Sequence, residues 1–293
     1  MVLLDGKSLA AEIKEEIKKE TAAIIDRGEK APHLAAILVG EDPASQTYVA
    51  SKEKACHETG ITSSVYKYPA NISEEELLKA VDFLNHDNEI DGFIVQLPLP
   101  SHINVERIIA AIDPAKDVDG FHPENLGKMM TGQQGFVPAT PLGIMQLLER
   151  YAIETEGKHC VVVGRSNIVG TPISILMSRK AKPGNATVTL CHSHTQNLGE
   201  ICRSADILIA AMGKPDFIKA DMVKEGAVVI DVGIHRIPDE TKEKGYYITG
   251  DVDFAEVSKK AGWITPVPGG VGSMTIVALL MNTLKAWKMK YQK

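Results

Sequence analysis

The 293-residue sequence has no paired cysteines, no surplus of positive charge and no apolar run of membrane-spanning length. Each absence argues against a class of protein. The 4 cysteines, Cys56, Cys160, Cys191 and Cys202, form neither a CxxC pair nor a metal-ligand spacing. A chain of this size needs no disulfide staples, so reduced thiols are expected. Against 38 Asp and Glu stand 32 Lys and Arg, a net charge of −6. That balance argues against attachment to nucleic acid through overall charge, though not against a local basic pocket for a small anion. The most apolar stretch near the end, Met274 to Leu284, falls short of the ~20 residues that cross a bilayer. The opening MVLLDGKSLAAEIKEEIKKE carries acids early and holds no secretion-signal core. No internal repeat or low-complexity segment is found. The expectation is a soluble cytoplasmic protein with neither membrane nor nucleic-acid partners.

What the sequence does have is a regular alternation of short apolar runs and amphipathic stretches. With 44% hydrophobic residues it can bury sizeable cores, and its length suits two domains of roughly 150 residues. Helical spacing of Leu9, Ile13, Ile17 and Ile24 predicts a helix over Asp5 to Ile25. HLAAILV (33–39) reads as a buried strand, 45–59 as a helix, 64–68 as a strand, and 73–85 as a helix opened by a Ser-x-x-Glu capping box. GFIVQL (92–97) reads as another buried strand, broken by Pro98 and Pro100. From Asp113 to Thr140 the periodicity fails in a Gly- and Pro-rich stretch, which predicts irregular and functional chain near a domain boundary. A helix over Pro141 to Tyr151 leads into a second series, with strands at 161–164, 186–190, 206–211 and 228–233, and a last helix from about Thr275 to Lys290. Strand and helix alternating in this way is the mark of a parallel α/β sheet.

One strand–loop–helix carries a phosphate-binding signal. Lys158 to Val163 is a strand, followed by GRSNIVGTP and an apolar helix. The pattern Gly164-x-Ser166-x-x-x-Gly170 is a relative of the dinucleotide turn: Gly164 makes the turn, Gly170 lets helix approach sheet, and helix-start amides meet a pyrophosphate. A plain connection would also have this shape, and the preceding VVV strand tips the reading to a nucleotide. The next strand ends in Cys191-His192-Ser193-His194-Thr195, with no carboxylate to hold ribose hydroxyls. Arg165 suits a dianionic 2′-phosphate, and Ser166, Ser193 and Thr195 add hydroxyls, so NADP is favoured over NAD. His192 and His194, two apart on a strand end, are expected to face opposite sides and hold no metal.

A second constellation lies upstream. Tyr48-Val-Ala-Ser-Lys52 places Tyr48 and Lys52 on one helix face. The same spacing in short-chain dehydrogenases follows the nucleotide turn, whereas here it comes far ahead of it, so that analogy does not hold. By itself the pair is a solvated helix face. Gln96, an amide in a buried strand, needs a partner, and Lys52 paired there in apolar surroundings would have its pKa lowered toward working pH. Asp119 is an acid in the irregular loop beside Gly120, and TPVPGGVGSMT (265–275) is a Gly/Pro run between a strand and a helix.

Taken in order, YVASK, GFIVQLPLP, KDVDGFHPENLG, PATPLG, VVVGRSNIVGTP, TLCHSHT, ADILIAAMGKP, VVIDVGI and TPVPGGVGSMT cover nearly the whole chain. That series resembles the bifunctional methylenetetrahydrofolate dehydrogenase/methenyltetrahydrofolate cyclohydrolase family. The resemblance implies an α/β fold in two domains: a catalytic, folate-binding domain from 1–138 and 274–293, and a Rossmann-type NADP-binding domain from 139–273. The C-terminal helix would then return to the first domain. It implies NADP-dependent oxidation of 5,10-methylenetetrahydrofolate and hydrolysis of the methenyl product to 10-formyltetrahydrofolate, without a metal, in a homodimer. Lys52 would be the catalytic lysine, Gln96 would hold and tune it, Tyr48 would stack on the aminobenzoyl ring, and Asp119 would bind the pterin. Val95, Leu97, Pro268, Gly269 and Gly270 would also contact substrate. Gly164, Arg165, Ser166, Ile168, Gly170, Ser193, Thr195, Ile234, Gly272 and Thr275 would line the cofactor, and the loop from Pro268 to Ile276 would close over both ligands. Ser273 stands where the family usually has proline, and His194 where a basic residue is common.

Three rivals remain: a dehydrogenase without cyclohydrolase activity, an NADP-binding sensor that has lost its chemistry, and an amino-acid or shikimate-type dehydrogenase of similar two-domain architecture. Lys52 together with Gln96 argues against the first. Tyr48, Lys52, Gln96 and Asp119 together argue against the second. A different substrate-domain signature would mark the third.

Overall fold

The computed structural model describes residues 1–242 and 245–292. Glu243 and Lys244, in the predicted nucleotide domain, and Lys293, at the end of the predicted catalytic domain, lie outside the described residues. In chain order the elements begin β1 (Val2–Leu3), α1 (Gly6–Asp26), β2 (His33–Val39), α2 (Pro43–Thr59), β3 (Thr62–Tyr68), α3 (Glu74–His86) and β4 (Gly92–Val95). There follow α4 (Val105–Ala111), α5 (Pro123–Thr131), α6 (Ala139–Arg150), β5 (His159–Val163), α7 (Gly170–Ser178), β6 (Thr187–Cys191) and α8 (Leu198–Arg203). The chain ends with β7 (Ile207–Ala210), β8 (Val228–Asp231), β9 (His235–Pro238), β10 (Tyr246–Thr249), α9 (Phe254–Val257), β11 (Trp263–Ile264) and α10 (Val271–Tyr291). Among the described residues no helix is long and apolar enough to cross a membrane.

Two compact units emerge. Ala11–Ala139 and the chain from Ile276 onward form a three-stranded unit, and Met1–Ala10 with Thr140–Thr275 form a six-stranded unit. In the three-stranded unit the order is β3-β2-β4, all parallel, with Leu34 to Ile37 of β2 in register with Gly92 to Val95 of β4. Its α3 begins with the expected capping box, Ser73 and Glu76 each bonding the other's backbone amide. Leu77, Val81 and Leu84 recur at helical spacing on one face of α3 and bury against Ile37, Phe93 and Val95. Each such side chain contributes about 1.5–3 kcal/mol by leaving water. The far end of α10 is anchored in this unit, where Trp287 Nε1 donates to the Lys30 carbonyl at 2.8 Å.

The six-stranded unit has the order β1-β11-β8-β7-β5-β6, with every pairing parallel. The chain passes from β5 outward to β6 and then back across to β7, which opens a crevice at the carboxyl ends of β5 and β7. That is where doubly wound sheets bind nucleotides. β9 and β10 form a separate antiparallel hairpin.

Four details depart from the sequence reading. The first ten residues, expected with the catalytic domain, belong to the six-stranded unit because Val2 and Leu3 pair with Trp263 and Ile264. The stretch expected to be irregular contains α5, started by a His122 side-chain cap and Pro123 and closed by Gly132 in left-handed conformation. β4 stops at Val95, so Gln96 and Leu97 lie just past its end, where Pro98 offers no amide to prolong the ladder. α10 starts at Val271 rather than near Thr275, because Val271, Met274, Val277 and Ala278 already present a buried helical face.

Candidate active site

In the three-stranded unit the reactive groups are side chains. Helix α2 is started by Asp42, whose carboxylate accepts from the Ser45 amide at 2.7 Å, and by Pro43 at its first position. One turn separates Tyr48, 38% exposed, from Lys52, which is half-buried. Lys52 Nζ donates to Gln96 Oε1 at 3.1 Å, while Gln96 Nε2 donates to the Leu97 carbonyl at 2.7 Å. The second bond fixes which way the amide faces, so its oxygen is held toward the lysine. The Gln96 backbone N–H also donates to the Ile37 carbonyl at 2.9 Å, which seats this residue at the sheet end beside buried Val95.

Burial lowers the Lys52 pKa from its ordinary value, and the Asp119 carboxylate opposes that shift. Burial likewise raises the pKa of Asp119, against the pull of Lys52. The unit therefore brings together Lys52, Gln96 and Asp119, with Tyr48 on the same helix. A lysine whose pKa is lowered in this way gives up its proton more readily than a solvated one, which suits it to proton transfer. A separate groove of about 680 Å³ is lined by Gln46, Val49, Glu53 and Lys67 and not by these groups.

In the six-stranded unit the corresponding work falls to backbone. Gly164 directly follows β5 with φ +124°, and a Cβ there would stand 2.1 Å from the carbonyl oxygen of Ala211, just past β7. A Cβ on Gly170 would stand 1.9 Å from the Gly164 carbonyl oxygen. Only glycine fits at either point, and the two let α7 begin directly over the crevice. Ser166 Oγ accepts from the amides of Val169 (3.2 Å) and Gly170 (3.4 Å), so this hydroxyl closes the turn that leads into α7. Arg165, Ile168 and Ser193 are exposed around the turn. Thr195 Oγ1 accepts from the His192 amide at 2.8 Å.

His192 and His194 depart from expectation. They lie in the turn after β6, not on the strand, and their rings meet edge to face at 6.1 Å. Strand alternation does not apply to a turn, which is why the opposite-facing reading failed. Among the described residues no His, Cys, Asp and Glu cluster is arranged to hold a metal ion.

The glycine-rich segment is shorter than expected as a loop. Pro268 and Gly269 sit in a turn and Gly270 precedes α10, while Gly272 and Thr275 are already helical. The Gly269 carbonyl accepts from the Lys7 amide at 2.8 Å, so the N-terminal segment braces this turn. Gly272 lies against exposed Ile234, and Thr275 Oγ1 is 3.0 Å from Thr140 Oγ1.

Several supporting residues were not singled out in the sequence. Asp251, fully buried, accepts from the amides of Met212, Gly213 and Lys214 at 2.7–3.0 Å and from His235 Nε2 at 2.8 Å. Asp231 accepts from the amides of Gly233, Asp251 and Val252, and burial raises its pKa to about 6. In the other unit Asp117, also raised to about 6 by burial, accepts from the amides of Phe121 and His122 and from Asn125 Nδ2. The available signal was an acid embedded in an apolar strand or beside glycine, as in VVIDVG, GDVD and KDVDG.

Residues 4–119 match the family model described as tetrahydrofolate dehydrogenase/cyclohydrolase, catalytic domain. Residues 138–291 match the tetrahydrofolate dehydrogenase/cyclohydrolase, NAD(P)-binding domain. A bifunctional protein FolD of Flavobacterium psychrophilum is 62% identical over 98% of this chain and 97% of its own. The crystal structure of a bifunctional methylenetetrahydrofolate dehydrogenase/cyclohydrolase from Campylobacter jejuni superposes with a TM-score of 0.92 at 51% identity, covering 99% of both chains. A Trypanosoma brucei methylenetetrahydrofolate dehydrogenase-cyclohydrolase, solved with NADP cofactor and inhibitor, superposes at 0.94 with 37% identity, over 100% of this chain and 99% of that one. With both family models matched and a relative 62% identical over 98% of this chain, the chain belongs to the tetrahydrofolate dehydrogenase/cyclohydrolase family.

Proposed function

We propose that the side-chain site of the three-stranded unit holds the folate and carries its proton transfers, while the backbone site of the six-stranded unit binds the cofactor. The protein oxidises 5,10-methylenetetrahydrofolate to the 5,10-methenyl compound and hydrolyses that to 10-formyltetrahydrofolate, a step of folate one-carbon metabolism. When bound, NADP supplies the hydride acceptor. For oxidation the chain's task is alignment, since the reacting carbon is already activated by two nitrogens. For hydrolysis the methenyl group is a cation open to water, and Lys52 moves the proton at Nζ that ring opening requires. Gln96 holds the Lys52 ammonium through its oxygen. Asp119 binds the pterin, Tyr48 stacks on the aminobenzoyl ring, and Val95 and Leu97 flank the pair. The turn at Pro268, Gly269 and Gly270 offers backbone groups to the substrate.

NADP is the cofactor proposed for the six-stranded unit. Gly164 and Gly170 leave room for pyrophosphate over the start of α7. The chain between the end of β6 and Thr195 carries no carboxylate to repel a 2′-phosphate, and Arg165 stands exposed in the adjacent turn. Ser166, Ile168, Ser193, Thr195, Ile234, Gly272 and Thr275 complete the proposed lining. The functional division runs near residue 139 and again near residue 274. Homodimerisation in the cytoplasm completes the reading. β3, at the edge of its sheet and paired with β2 on one side, supports the dimer, and sedimentation of the purified chain tests it.

The observation that carries the bifunctional reading is the Lys52–Gln96 hydrogen bond, with the charge of Asp119 acting on the same lysine. The experiment is a spectroscopic time course with 5,10-methylenetetrahydrofolate and NADP, then NAD. NADPH should appear while methenylfolate is removed faster than in a blank. Methenylfolate that accumulates and persists would reduce the protein to a dehydrogenase, and silence with both cofactors while NADP still binds would favour a sensor.

A further inference from the structure

We infer that Asn282, on α10, is a positioning residue for Asp119, acting by clamping the two backbone segments that hold the Asp119 loop. This rests on the reading of Asp119 as the pterin-binding group. Asn282 is 2% exposed in a helix that is otherwise largely apolar, and a buried amide there requires partners. Its Nδ2 donates to the Val118 carbonyl at 2.8 Å and to the Val137 carbonyl at 2.9 Å.

Those two carbonyls frame the loop. Val118 immediately precedes Asp119. Val137 lies where the following segment crosses back over it, so closely that a Cβ on Gly120 would stand 2.6 Å from the Val137 carbonyl carbon. The Ala139 amide donates to the Asp119 carbonyl at 3.2 Å, closing the crossing. On the other flank Asp117 accepts from the amides of Phe121 and His122. The backbone of Asp119 is thus restrained before, after and across the loop, and Asn282 is the group that joins the first restraint to the last. Where the Asp119 carboxylate stands relative to Lys52 then depends on an amide far away in sequence. Removing that amide leaves both carbonyls without their donor and frees the crossing to shift.

The test is a double-mutant cycle on the full chain. Asn282→Leu removes both bonds, and Asn282→Ser is the milder variant should the first fail to fold. Each is measured alone and with Asp119→Asn for folate KM, kcat and NADP Kd. The expected result is a rise of about tenfold in folate KM for Asn282→Ser or Asn282→Leu, with NADP Kd unchanged within about twofold. In the Asp119→Asn background the same substitution should change folate KM by less than about twofold, because residues acting through one another are not additive. An undiminished effect in that background, or no change in folate KM at all, would overturn the inference. If Asp119→Asn alone left folate KM and both activities at wild-type values, the failure would lie in the reading of Asp119 itself.

Discussion

The two units achieve function by opposite means. In the three-stranded unit the candidate site is made of side chains: an amine, an amide and a carboxylate, with burial setting the charge each prefers. In the six-stranded unit it is made mostly of missing side chains, with glycines at 164 and 170 where a single carbon would collide with backbone. The first kind of site loses chemistry when an atom is removed. The second loses binding when an atom is added. Chemistry on a folate needs proton-carrying groups, whereas a dinucleotide's phosphates are met by backbone amides, which every residue but proline supplies once the chain comes close enough.

The largest effect expected from this contrast is at Lys52. Lys52→Met should reduce cyclohydrolase kcat by roughly 10²–10⁴-fold while NADP binding, read by fluorescence, survives. Loss of NADP binding with hydrolysis intact would reverse the roles given to the two units. Next in size is Gly170→Ala, whose added methyl has only backbone to displace. Overpacking of about 1–3 kcal/mol should weaken NADP by about fivefold to 150-fold, measured by calorimetry, and leave the hydrolysis of supplied methenylfolate near wild type.

A smaller effect sharpens the one place where the six-stranded unit does rely on a side chain. Arg165→Ala should cut the preference for NADP over NAD by about tenfold, seen in the ratio of kcat/KM values. Equal weakening for both cofactors would mean that Arg165 does not read the 2′-phosphate.

The smallest effect marks where the units should behave alike. Asp117 in one and Asp231 in the other both have their pKa raised from 3.8 to about 6 by burial. An acid raised on folding adds stability that is complete below its unfolded pKa and is lost as pH rises through its folded one. Carboxyl-carbon NMR should therefore show both titrating near 6, each ceasing to favour the folded state between about pH 4 and pH 6. Midpoints near 4 for either would show that its amide donors outweigh burial.

The sequence exposed local features better than long-range ones. The capping box at Ser73, the central strands and the Lys52–Gln96 pair were legible because each follows from spacing or from the need to satisfy a buried amide. β1 was not, since two residues carry no periodicity and their partner, β11, lies at the far end of the chain. Helix α5 was obscured by the Gly and Pro around it, although His122-Pro123-Glu124 is itself a helix-start signal. His192 and His194 misled because the strand stops at Cys191 and alternation stops with it. Asn282 was an unremarked polar residue in an apolar helix until the carbonyls of Val118 and Val137 gave it partners.

The most direct test of the contrast between the units is a crossed assay of Lys52→Met and Gly170→Ala, each scored for NADP binding and for hydrolysis of added methenylfolate. The account predicts a double dissociation: Lys52→Met binds NADP and does not hydrolyse, while Gly170→Ala hydrolyses and binds NADP poorly. If both variants lost both properties together, or if Lys52→Met hydrolysed at the wild-type rate, the division of chemistry and cofactor binding between the two units would be contradicted.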